Sequence, residues 1–154
     1  MKITFYGILA NYKKKLIKDL IEFSLKKFIN DISKLKIEIE IRNSSLIAGN
    51  LALLHTDNEN ESLFIIEIGN RQNFGKMMLS IAHECVHIKQ YYLGEILDIS
   101  NEIIIFLEKE YDTDIINYWD QPWEIEAHGR EHGLLLRFVE ANNLQKEEWL
   151  KIFH

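Results

Sequence analysis

The chain carries one cysteine, Cys85, and one proline, Pro122, in 154 residues. A lone thiol excludes an intrachain disulfide and fits a reducing, cytoplasmic setting. No apolar run is long enough to span a membrane, and Met1-Lys2-Ile3-Thr4-Phe5 does not open a signal peptide. Acidic residues outnumber basic ones, giving a formal charge of −6, and beyond Lys13 to Lys15 the basic residues are scattered. That balance argues against a nucleic-acid surface, which needs a basic patch. Repeats, low-complexity tracts and linkers are missing too, so one domain over 1–154 is expected.

Hydrophobic periodicity divides the chain into elements. Residues 3–9 read as a short strand or an irregular lead-in. From about 11 to 32, Leu16, Leu20, Phe23, Phe28 and Ile32 recur at helical spacing, with lysines on the opposite, solvated face. Ile37-Glu38-Ile39-Glu40-Ile41 alternates with period two, a strand with one wet face. Residues 46–54 and 62–68 read as further strands around a polar turn at 56–61. Their short connections predict a small, mostly antiparallel sheet. His55, at that turn, reads as a surface histidine. A helix over about 76–92 is apolar nearly all round and therefore central, with Asn73 as its N-cap and Gly94 as its stop. Residues 96–99 and 102–107 read as short strands, and 112–121 as irregular. Pro122 opens a helix to about 142. A short final helix, 145–153, packs through Trp149, Leu150 and Phe153. The class is α+β.

The central helix contains His83-Glu84-Cys85-Val86-His87. Positions i and i+4 share a helix face, so both imidazoles can reach one metal ion. Glu84 sits about 100° round the helix, able to reach a water on that metal without being a ligand. Burying these groups unpartnered costs several kcal/mol, and a metal resolves that cost. The bland alternative is a hydrogen-bonded pair of core histidines. A catalytic zinc takes three protein ligands and leaves one position for water. The glycine and histidine that metzincins place after this motif are Gln90 and Leu93 here, and the upstream Glu-Gly-Cys of peptide deformylases is missing. What remains is a glutamate from a later helix.

Together with Pro122-Trp123-Glu124-Ile125-Glu126-Ala127, the motif resembles the gluzincin metallopeptidases. It is similar in particular to small zincin-like peptidases of bacteria and their phages, and to proteases that cleave repressors of mobile elements. The resemblance rests on two motifs and, by order of elements, on about residues 35–140. It implies a zincin-like fold: an N-terminal helix, a small sheet, a central metal helix and a C-terminal glutamate-bearing helix. It further implies Zn2+ held by His83, His87 and Glu124, Glu84 as general base, and hydrolysis of a cytoplasmic protein or peptide substrate.

Helix phase points the same way. Glu124 shares a stripe with Ala127, His128, Glu131, Leu135 and Phe138, whereas Glu126 falls with Arg130, Gly133 and Arg137. Glu126 stays open as the alternative ligand. Many relatives carry an acidic residue four positions after the ligand glutamate, where it orients a zinc-bound histidine. Here that position is His128. His128-Gly129-Arg130-Glu131-His132 also spells an inverted zinc signature, but Gly129 weakens the helix there. His128 and Glu131 are read as supporting the main site, and His132 as ordinary. Tyr118, just ahead of the glutamate helix, is assigned as oxyanion donor. The competing class is a metal-binding, non-hydrolytic regulatory or partner-binding module on the same fold. A groove open beside the metal favours the peptidase; burial under 95–121 favours the module, or a lid.

Overall fold

A computed structural model describes residues 1–57 and 59–153, the last two by backbone alone. Asn58 of the expected turn, the Phe153 side chain and His154 lie outside the described residues. The order is β1 (Lys2–Tyr6), α1 (Asn11–Leu25), β2 (Lys36–Arg42), β3 (Ala52–Thr56), β4 (Leu63–Gly69), α2 (Phe74–Tyr92), β5 (Ile96–Asp98), β6 (Ile103–Phe106), β7 (Lys109–Asp112) and α3 (Pro122–Ala141). Short 3-10 turns at Tyr118–Asp120 and Glu148–Phe153 flank α3. The protein is α+β, and no helix among the described residues is long and apolar enough to cross a membrane.

The main sheet runs β1-β2-β4-β3 and is mixed. β1 pairs with β2 and β2 with β4 in parallel; only β3 and β4 are antiparallel. This corrects the expectation of a mostly antiparallel sheet here. α1 serves as the crossover between β1 and β2. The 43–51 connection, turning at Ala48 and Gly49 (φ 47° and 86°), carries the chain out to the edge. The next strand then returns between β3 and β2. His55 lies in β3, opposite Ile65, not in the turn; its Nε2 is 2.8 Å from Glu67 Oε1 and its side chain is half exposed.

Alternation in the strands gives the sheet one dry face. Ile37, Ile39, Ile41, Phe64, Ile66 and Ile68 are buried in the core with Ile17, Leu20, Ile21 and Leu25 of α1. Each such isoleucine contributes roughly 1.5–3 kcal/mol by leaving water. α1 ends at Leu25, short of the expected 32, where Lys27 N donates to Ser24 O and Phe28 N to Leu25 O (3.1 and 3.0 Å), i→i−3 bonds that tighten the last turn. Ile29 stays buried beyond it, which prolongs the apolar periodicity.

α2 is fixed at both ends. Asn73 Oδ1 accepts from Gly75 N and Lys76 N at 2.8 and 3.4 Å, the expected N-cap. Upstream, a Cβ on Gly69 would stand 2.3 Å from Ser44 O, so only glycine lets these loops cross. At the C-terminus Gly94 adopts φ +70° and Glu95 N donates to Gln90 O at 2.8 Å, closing the helix and aiming the chain into β5. α2 thus lies in the core, packed against α1, the sheet and α3.

β5, β6 and β7 form a small antiparallel sheet. β7 falls where the sequence predicts no strand, because its hairpin turns on Leu107 and Glu108 (φ 48° and 69°), without glycine or asparagine. The double exchange Leu107→Asn with Glu108→Gly is expected to stabilise the protein by about 1 kcal/mol in urea unfolding. No gain would mean that the turn is unstrained. Ile96, Phe106 and Trp123 make a second small core that fastens this sheet to the first turn of α3.

Candidate metal centre

His83, His87 and Glu84 leave α2 on the side facing the first turns of α3, and Glu124 meets them from there. His83 Nε2 is 3.3 Å from Glu124 Oε2, and His87 Nε2 is 3.3 Å from Glu124 Oε1. The two Nε2 atoms are 3.0 Å apart. Ligand atoms around a tetrahedral zinc with bonds of about 2.0–2.1 Å lie about 3.3 Å apart. Each histidine nitrogen thus stands at such a spacing from one oxygen of Glu124, His83 from Oε2 and His87 from Oε1.

The outer ring nitrogens decide what the inner ones offer. His83 Nδ1 is 2.8 Å from Glu131 Oε2, and His87 Nδ1 is 2.7 Å from Gln90 Oε1. Both partners accept, so both Nδ1 atoms carry hydrogen and both Nε2 lone pairs face Glu124. Two lone pairs and a carboxylate this close repel unless a cation or a proton joins them. Burial opposes charge on His83, but Glu124 and Glu131 outweigh it and lift its pKa to about 9. Burial likewise opposes ionisation of Glu124, yet His83, His87 and Tyr118 hold its carboxyl far below the usual range. The donor set fits a divalent metal.

Glu84 is 6% exposed and makes no hydrogen bond among the described residues. Burial pushes its carboxyl pKa up. It lines a cleft of about 240 Å3 together with Asn50, Ala52, Leu54, Tyr91 and Tyr118. The Tyr118 hydroxyl donates to Glu124 Oε2 at 2.7 Å and lies 3.1 Å from His128 Nε2. His128 packs between Trp119 and His83. His83, Glu124 and His128 also form a group that could hold a metal ion, with ligand atoms all within 4.8 Å of one another.

The residues singled out in the sequence are thus brought together, with two exceptions. Glu126 is held away from the triangle by Lys89, Gln90 and Arg130, each at 2.8–3.0 Å. His132 is mostly exposed, beside the outer oxygen of Glu131. The acidic partner at the outer nitrogen of His83 is Glu131, three residues past His128 on α3. Gln90 as the partner of His87 was not anticipated; its one trace in the sequence is a polar residue three positions past the histidine on an apolar helix.

No protein-family model matches this chain, and no curated protein or solved structure matches it either. The site is read from its own chemistry.

Proposed function

We propose that the protein is a gluzincin-like zinc peptidase that hydrolyses a peptide bond in a protein substrate. The observation that carries this reading is the cluster of His83, His87 and Glu124 with Glu84 buried beside it, without a hydrogen bond among the described residues. These three residues would hold the ion, and zinc when bound supplies Lewis acidity and an acidified water. Glu84 takes the proton of the attacking water and delivers it to the leaving nitrogen. The Tyr118 hydroxyl, at the rim of the same cleft, donates to the developing oxyanion.

β3 supports a peptide as substrate. It is the outer strand of the sheet, and Ala52, Leu53 and Leu54 line the cleft. Its outer edge leaves backbone groups to pair with an extended segment laid past Glu84. The cleft also favours the peptidase over the non-hydrolytic module: the 95–121 segment contributes Ile96 and Tyr118 to its walls, and the ligand side chains keep 10–13% exposure. A binding module has no use for a carboxylate buried in the same cleft.

The expected result is one zinc per chain by elemental analysis, lost in His83→Ala and Glu124→Ala and kept in Glu126→Ala. A proteome-wide cleavage screen with the zinc-loaded protein is expected to yield new peptide termini that the Glu84→Gln control does not. Zinc bound without any cleavage would favour the module, and zinc retained by Glu124→Ala but lost in Glu126→Ala would reassign the third ligand.

A further inference from the structure

We propose that Gln90, Glu126 and Lys89 form a relay that positions His87 for the metal, which makes Glu126 a positioning residue and not a ligand. This inference rests on the metal reading of the site. Gln90 is fully buried, and both of its amide hydrogens and its oxygen are engaged. Its Nε2 donates to Trp123 O and to Glu126 Oε2, both at 3.0 Å, which leaves Oε1 to accept from His87 Nδ1 at 2.7 Å. Turning the amide over would set its oxygen against two acceptors and its nitrogen against an N–H. The orientation is therefore locked, and with it the tautomer and tilt of the imidazole.

Glu126 anchors the amide and is itself held by cations. Lys89 Nζ and Arg130 Nε both bond Glu126 Oε1 at 2.8 Å. Lys89 is nearly buried and also stands 2.6 Å from Glu95 Oε2, just ahead of β5, as an ion pair without hydrogen-bond alignment. The two metal histidines are thus held unequally. His83 has a carboxylate directly on its outer nitrogen, whereas His87 has an amide with the carboxylate one bond further out. Trp123 O joins this relay to the first turn of α3, from which Glu124 also projects, so one set of bonds registers two of the three ligands.

The test is zinc affinity by chelator competition, with the visible spectrum of the Co2+-substituted protein as a second readout. Gln90→Met keeps the volume and removes the acceptor; it is expected to weaken zinc binding about 10–100-fold and to shift the Co2+ bands. The double exchange Gln90→Glu with Glu126→Gln keeps an acceptor for His87, the 90–126 pairing and the net charge, but loses the donor to Trp123 O. It is expected to recover part of the affinity that Gln90→Met loses. Glu126→Ala, at a partly buried position, covers the case in which Gln90→Met does not fold; it is expected to lose about tenfold, far less than a ligand, and parent-like affinity there would in that case overturn the relay by itself. Parent-like affinity and spectrum in both Gln90→Met and Glu126→Ala would overturn the relay. Equal losses in Gln90→Met and the double exchange would reduce Gln90 to packing and overturn it as well. A parent protein that binds neither metal would sink the metal reading and this inference together.

Discussion

Glu84→Gln is expected to lower peptide hydrolysis by about 10^3-fold or more while zinc stays at one per chain. Glutamine has nearly the same volume and is as easily buried, so the substitution removes the proton acceptor and little else. Glu84 lies between the two histidines in sequence but outside the ligand triangle, so the metal loses no donor. The same change should make the metal-free protein more stable. A carboxyl that is 6% exposed, without a hydrogen-bonded partner and with its pKa pushed up by burial, is a cost to the fold. Opposite signs on rate and stability mark a group kept for chemistry. The measurements are product formation on an identified substrate, metal content, and urea unfolding in the presence of chelator. A Glu84→Gln protein that still cleaves would remove the base from this mechanism.

What the sequence reveals about this molecule follows the range of the interactions involved. The ends of α2 are legible because Asn73 and Gly94 act on neighbours within a turn. The pairing of His83 with His87 is legible for the same reason, since helical spacing alone brings them together. The choice between Glu124 and Glu126 is half legible: helix phase separates the two, but the cations that hold Glu126 come from Lys89 on another helix. Strand pairing in the main sheet is not legible, because alternation in β2 and β4 marks a buried face and says nothing about which neighbour each strand takes. β7 is hidden because Leu107 and Glu108 turn the chain without the residues that signal such a turn. Glu131 and Gln90 become partners of the histidines only once α2 and α3 are packed. The candidate histidine pair is thus written locally, and the residues that meet it from α3 depend on the fold.

Zinc is expected to raise the unfolding temperature strongly, and by an amount that grows with pH. At a free concentration about 1,000 times its dissociation constant, a ligand that binds only the folded chain adds about 4 kcal/mol. For a chain of this size that corresponds to a rise of roughly 8–16 °C. The pH dependence follows from His83. In the metal-free protein Glu124 and Glu131 lift its pKa from 6.5 to about 9. A pKa raised by folding stabilises the native state fully below 6.5, and that contribution is lost as pH rises through about 9. The metal-free protein should therefore lose stability over this window. Zinc must displace the same proton, so its affinity should rise about tenfold per pH unit until His83 is neutral. These are one linkage seen from two sides: from pH 6.5 to 9 the gap between zinc-loaded and chelated protein widens by what the metal-free protein loses. Calorimetric scans at fixed free zinc across that range measure the gap directly. A gap that stays flat would place the competing proton elsewhere, and the absence of any gap, or its persistence in His83→Ala, would refute the triangle as the metal site.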